Sequence, residues 1–288
     1  MDRIAAALGM DPAKLRLQNV LRAGDRTATG QILADSTAEI VLKEAVKRSG
    51  WRRKREAWAG TNRGIGLEFV RQYSQRGWNV IATARNPGAA DELNALAKQH
   101  RGIAVEQLDV ADLRSIEALA TSYKGRPIDI VINNAGMLGD VPKQTIGALD
   151  QSVLQQVMIA NTFGALQLSE ALKSNLLAGL QKKVFAMTSG LGSSELTTRR
   201  GGFYAYRMSK AALNIGFRAL AADWRADGIM VGIIAPGMVE TEMLRASGYP
   251  GRGISPQQSV AGMLKVIDAM TLDSNSRALN YDGQPIPW

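Results

Sequence analysis

At 288 residues with 45% hydrophobic content, the chain can bury one large core, or one core with a small appendage. Zero cysteines exclude disulfides, thiolate metal ligands and a cysteine nucleophile, and a single histidine, His100, argues against a histidine-built metal site or a Ser/His/Asp triad. The net charge of +9 is concentrated at the front: residues 1–59 carry 12 Lys/Arg against 7 Asp/Glu, and the cluster Arg52, Arg53, Lys54, Arg55 lacks the frame of a nucleic-acid reader. That cluster is expected to be a solvated linker, so nucleic acid is not an expected partner. No run of about 18 apolar residues and no charged-then-apolar leader occurs, so neither a membrane span nor a secretory signal is expected, and the chain reads as cytoplasmic.

In chain order, the first apolar stretch is AEIVLKEAV (38–46), whose spacing favours a helix over a strand. The basic run follows, and then GTNRGIG (60–66). From there apolar, β-branched runs alternate with amphipathic ones. The predicted strands are WNVIATA (78–84), IAVEQLDV (103–110), IDIVINNAG (128–136), KKVFAMTS (182–189), GIMVGIIAPG (228–237) and a short RALNYDG (277–283). Runs so continuously apolar fit strands covered on both faces. Helices are predicted at 66–77 and 112–123, with two long ones at 149–177 and 206–226. Strand and helix in repetition predict crossover units, and hence an α/β fold with a doubly wound parallel sheet of Rossmann type.

The glycines Gly60, Gly64 and Gly66, spaced G-x-x-x-G-x-G, suit a turn that approaches a pyrophosphate and opens a helix with free N–H groups. After VIATA comes Arg85, where many NAD-binding folds place an acidic residue against a ribose hydroxyl. An arginine there, with Arg63 in the turn, would favour the 2′-phosphate of NADP(H); two surface arginines are the alternative.

Tyr206 and Lys210 are spaced i, i+4 at a helix start, so their side chains share a face. An ammonium beside a phenol is expected to lower its pKa toward working pH. Ser189 falls at a strand's carboxyl end, where ligands bind in open parallel sheets, and its hydroxyl could hold a carbonyl oxygen beside Tyr206. Ser193 is its rival. Tyr204 has Met208 at i+4 and cannot form the couple. Asn161 interrupts a long helical pattern, as a residue binding an ordered water would. Met137, Met208, Met238 and Met243 are pocket candidates, with core filler as the commoner role for each.

Together GTNRGIG, LDV, NNAG, NTFG, MTSGLGS, YAYRMSK and PGMVETEM resemble the short-chain dehydrogenase/reductase family over about 60–288. GGFYAYRMSKAALN and the terminal YDGQPIPW look like its carbonyl-reductase branch, which includes C-factor-like and sniffer-like members. The resemblance implies hydride transfer from NADPH to a ketone or aldehyde. It implies the tetrad Asn161, Ser189, Tyr206 and Lys210: Tyr206 protonates the carbonyl oxygen, Ser189 orients it, Lys210 binds the ribose hydroxyls, and Asn161 holds a relay water. It further implies cofactor contacts from Gly60, Asn62, Arg63, Gly64, Ile65 and Gly66, from Arg85, Asp109 and Val110, and from Asn133, Ala135 and Gly136. Pro236, Gly237, Val239 and Thr241 complete that set, with Tyr206 and Lys210. The implied partners are a small carbonyl or alcohol substrate and a second or further copy of the chain, as a homodimer or homotetramer; no metal is implied.

The family pattern breaks at its front. A buried strand should precede the glycine turn, yet the residues there are RRKREAWA. Four consecutive cations in a doubly covered strand would cost several kcal/mol each, on the order of the desolvation penalty of a buried ion. The usual first strand is therefore expected to be missing or replaced. Residues 1–59 instead resemble an internal piece of the molybdopterin-binding subunit of the xanthine dehydrogenase family, without its molybdenum-site motifs. The expected organisation is a foreign segment, 1–59, helical or poorly ordered, joined to a catalytic domain, 60–288. An NADP(H)-binding signalling module with little turnover, or an inactive fusion product, are the alternatives.

Overall fold

The computed structural model describes residues 12–20, 22, 25, 40–41, 43–44, 63–198, 201–274 and 277–288. The chain divides into two units, Met1–Ala57 and Trp58–Trp288. In the first, α1 spans Pro12–Gln18, and Ile40, Val41, Lys43 and Glu44 are helical, with Ile40 and Val41 exposed. The helical reading of 38–46 thus holds at its described residues.

The second unit is an α/β fold with parallel strands. Its strands are β1 (Val80–Ala84), β2 (Ile103–Gln107), β3 (Ile130–Asn133), β4 (Lys183–Met187), β5 (Met230–Ala235) and β6 (Ala278–Asn280). Among the described residues they form two sheets, β1–β2 and β3–β4–β5–β6, every pairing parallel. Among the described residues β1 and β3 are not paired with each other. Residues 51–62, the basic run together with Gly60 and Asn62, lie outside the described residues.

Helices cover both faces. They are α2 (Gly64–Gln75), α3 (Asp91–Gln99), α4 (Leu113–Ser122), α5 (Gln151–Met158), α6 (Gly164–Ala171), α7 (Lys173–Ala178), α8 (Tyr204–Asp223), α9 (Glu242–Ala246) and α10 (Pro256–Ala269). Phe69 and Tyr73 of α2 and Met263, Leu264 and Ile267 of α10 pack with Phe185 and Ile234 from β4 and β5. Ile116 and Leu119 of α4, Leu168 of α6, and Leu213 and Phe217 of α8 pack with Val184, Val231 and Ile233. Covered from both sides, β4 is buried throughout and β5 at all but its first residue, Met230. That is why those runs carry no polar alternation. Each such side chain contributes roughly 1.5–3 kcal/mol on burial.

Two departures from the predicted elements have local causes. The stretch 149–177 is not one helix, because a π-turn at Ile159–Phe163 separates α5 from α6 and Leu172 separates α6 from α7. An extra residue in one turn re-aims the side chains that follow. α3, α9 and α10 are not among the predicted helices, although α10 opens with a clear signal: Ser255 caps the Gln258 amide and Pro256 occupies the first turn. Lys183, buried in β4, donates to the carbonyls of Ile267 and Asp268 and so holds the carboxyl end of α10 on the sheet.

The glycine at 164 shows how tightly the layers meet. A Cβ there would lie 2.3 Å from the Val110 carbonyl oxygen, which is backbone and cannot move aside. Gly164→Ala should therefore lower stability by about 1–3 kcal/mol in a urea melt, as overpacking does in close-packed interiors.

Candidate active site

The carboxyl ends of β3, β4 and β5 and the start of α8 converge on one place. α8 begins after Phe203, whose φ of 53° is left-handed, and Gly202, with φ of 79°. This tight approach delivers Tyr206 to the third position of the helix. Its amide is satisfied by Gln144, whose Oε1 accepts at 2.9 Å while its Nε2 donates to the Leu138 carbonyl. Gln144 is fully buried and was not singled out in the sequence, for no periodic pattern marks a loop glutamine.

Tyr206 and Lys210 lie together as their spacing predicts, with the Lys210 Nζ 5.7 Å from the centre of the phenol ring. Both are buried. Lys210 donates to the Met187 carbonyl at 2.7 Å, and burial lowers its pKa to about 8. The expected depression of the tyrosine pKa is not what the structure shows. Burial raises the Tyr206 phenol, and the group that pulls it back down is the Ser189 hydroxyl. The serine at the end of β4 thus lies against the phenol, capping a short turn at Gly190–Gly192 through the Leu191 amide. Ser193 faces elsewhere: it is buried and its hydroxyl donates to the main-chain oxygen of Trp288.

Asn161 sits in the π-turn, buried. Its Oδ1 accepts from the Met137 amide at 2.7 Å, and its Nδ2 donates to the Met137 carbonyl and to Ser209 Oγ. Those contacts bind its side chain to the loop after β3 and to α8. Gly136 closes the gap between them: a Cβ there would stand 3.4 Å from Asn161 Oδ1 and 3.6 Å from Lys210 Nζ.

Of the expected cofactor contacts, Arg85, Asp109, Val110, Ala135 and Gly136 line one small cleft of about 40 Å³. Gly64, at φ 55°, opens α2 behind an extended Arg63, with Ile65 half-buried and Gly66 buried in the first turn. The loop after β5 closes on this turn, placing Thr241 3.5 Å from where a Gly64 Cβ would be. Arg63 is engaged there by the Glu242 carboxylate at the start of α9. Gly237 has φ of 77° and lies against the Tyr281 ring, Val239 is buried, and Pro236 accepts from Ser259. Asn133 turns into the sheet: its Nδ2 donates to Ser169 Oγ and the Phe185 carbonyl, and its Oδ1 is buried without a hydrogen-bond partner. Of the four methionines only Met137 is core; Met208, Met238 and Met243 are exposed, which removes the filler role for those three. A hollow of about 630 Å³ lies between α10 and β6 and includes none of the tetrad.

The family model described as short chain dehydrogenase matches residues 58–249. The chain belongs to that family. C-signal of Myxococcus xanthus is 36% identical over 173 residues, 60% of this chain and all of that protein. The 1-hydroxy-2-glutathionyl-2-methyl-3-butene dehydrogenase of Rhodococcus sp. (strain AD45) is 36% identical over 234 residues, 80% of this chain and 97% of that one. Among solved structures, NADPH-bound carbonyl reductase from chicken fatty liver superposes with a TM-score of 0.73 at 32% identity, over 80% of this chain and 96% of that one. As a short chain dehydrogenase the protein is an oxidoreductase with a Rossmann-like fold. Among the described residues, no helix is long and apolar enough to cross a membrane.

In this short chain dehydrogenase the cost of burying the Lys210 cation leaves a signature in stability. Between about 8 and 10.5 the unfolded chain still holds the proton that the folded chain has shed, so stability rises with pH across that window. Below about 8 the full cost is present. Relative to Lys210→Met, wild type should gain roughly 2 kcal/mol between about pH 8 and pH 10, read from urea melts at each pH.

Proposed function

We propose that this protein transfers hydride from NADPH to the carbonyl carbon of a ketone or aldehyde. The observation that carries the proposal is the juxtaposition of a buried phenol, a serine hydroxyl against it and a buried lysine on the next helical turn. The residues present fit the cofactor. The first turn of α2 directs its N–H groups where a pyrophosphate could accept from them, Arg63 stands at the start of that helix, and Arg85 and Gly136 line the small cleft at the ends of β1 and β3. NADPH is the form bound by the chicken carbonyl reductase.

When bound, the reduced nicotinamide supplies the hydride. The chain's own residues supply the proton and the geometry. Burial keeps the Tyr206 phenol protonated at neutral pH, which is the form a general acid needs. As the carbonyl oxygen gains charge, Tyr206 gives it the phenolic proton and Ser189 holds it by a hydrogen bond. The phenolate left behind is favoured by the Lys210 ammonium, which stands nearby on the same face of α8. Asn161 and Gly136 set the depth of this corner by fixing the loop after β3. Substrate would enter past the exposed Met208, Met238 and Met243. We place residues 1–59 outside this chemistry, as an appended segment, and expect copies to associate through α8 and the 149–177 region.

A second reading has one observation behind it. All of C-signal matches 60% of this chain, which favours a module that binds NADP(H) for signalling with little turnover. One assay separates the two. Wild type should oxidise NADPH across a panel of ketones and aldehydes, and Tyr206→Phe should bind NADPH equally well while kcat falls at least about 100-fold, the loss expected for a general acid. Tight NADPH binding with no oxidation by wild type on any carbonyl would select the second reading.

A further inference from the structure

α8 carries a stripe of polar side chains at every fourth residue: Tyr206, Lys210, Asn214 and Arg218. That spacing keeps them on nearly one line of the helix surface. The first two belong to the chemistry proposed above. The third reaches the segment that carries Ser189 from both sides.

Asn214 is buried. Its Oδ1 accepts from Thr188 Oγ1 at 2.5 Å, and its Nδ2 reaches the Gly192 carbonyl at 3.4 Å. Thr188 immediately precedes Ser189, and Gly192 closes the one-turn helix that Ser189 caps. One amide therefore spans the ends of a five-residue segment with the serine inside it. The segment has little freedom to settle elsewhere. The Thr188 amide continues the β4–β5 ladder by donating to Ile234, and a Cβ on Gly192 would stand 2.8 Å from the carbonyl carbon and the Cβ of Lys210. Gly192 thus presses directly on α8, one turn from Asn214.

Further out, the same helix holds the far end of the loop. The Arg218 guanidinium stacks 4.9 Å from the ring of Trp288. The main-chain oxygen of Trp288 accepts from Ser194 Oγ, Ser193 Oγ and the Glu195 amide. Asn214 is the inner of these two ties and the one next to the reacting groups.

We infer that Asn214 is a positioning residue that fixes Ser189 against Tyr206, so that the serine hydroxyl and the phenol meet one carbonyl oxygen together. This rests on the reductase reading of the site. A buried amide suits the task because both its donor and its acceptor are committed, and a wrong placement would strand them without partners.

The test is a set of variants in the full chain: Asn214→Ala, Thr188→Val, Thr188→Ser and Ser189→Ala, with Asn214→Ala also combined with Ser189→Ala. Asn214→Ala and Thr188→Val should each lower kcat about 10- to 100-fold, with NADPH affinity unchanged and KM shifted far less. Thr188→Ser, which keeps the hydroxyl, should restore most of the rate. In the Ser189→Ala background the Asn214 substitution should cost less than about threefold more, because its effect passes through the serine. A full further loss in that background, or an Asn214→Ala kcat within about threefold of wild type, overturns the inference. If Asn214→Ala does not fold, the volume-conserving Thr188→Val carries the same comparison. Amide hydrogen exchange gives a readout that needs no turnover: Leu191 and Gly192 should exchange faster in Asn214→Ala while the middle of α8 keeps its protection. Unchanged exchange there would sink the positioning role. A wild-type protein that reduces no carbonyl would sink the reductase reading alone.

Discussion

A lysine ammonium held in the interior organises this site. Lys210 is buried and hydrogen-bonded to the carbonyl of Met187, the last residue of β4. Burial alone lowers its pKa to about 8. A protein ordinarily avoids such a position, since removing an ion from water costs several kcal/mol. Here the contact joins the most buried strand to the helix that bears the phenol, and it does so where β4 gives way to the serine turn. Gly192 has no room for a Cβ, which would stand 2.8 Å from the carbonyl carbon and the Cβ of this lysine. The Tyr206 phenol, raised by burial, then shares its surroundings with a cation and a hydroxyl, and that combination separates an acid site from an inert core tyrosine.

The succession of strands along the chain and the pairing of Tyr206 with Lys210 were legible in the sequence, and for specific reasons. β4 and β5 are covered on both faces, so their runs are apolar without interruption, and Tyr206 and Lys210 are separated by one helical turn. Both patterns are local. What the sequence did not display is what depends on contacts across the fold. Gln144 beneath Tyr206, Thr188 with Asn214, and Trp288 on Arg218 are separated from their partners by tens of residues, and no spacing rule reports them. The π-turn at Ile159–Phe163 escaped for a related reason: one inserted residue leaves the composition of a helix intact while shifting its register.

Some expected roles changed once the chain was folded. The pairing of Tyr206 with Lys210 suggested a depressed phenol, but desolvation by burial sets the opposite direction, opposed by the Ser189 hydroxyl. Arg63, expected to await a phosphate, is engaged by Glu242 from the loop after β5, so the glycine turn and that loop are tied across the cleft. A solvent-exposed pair of this kind is worth about 0–1 kcal/mol, which a bidentate phosphate contact can exceed. Asn133 is committed to the sheet through Ser169 and Phe185. Among the described residues β1 and β3 belong to separate sheets.

What the site depends on most is Lys210 as a buried cation at the junction of β4 and α8. NMR of the protein carrying [13Cε]-lysine, titrated from about pH 6 to pH 11 and assigned with Lys210→Met, observes that group alone. One lysine resonance should show a midpoint near 8, against the ordinary 10.5 for exposed lysines. A Lys210 midpoint at the ordinary value would mean a solvated ammonium, and the site described here would lose its organising contact.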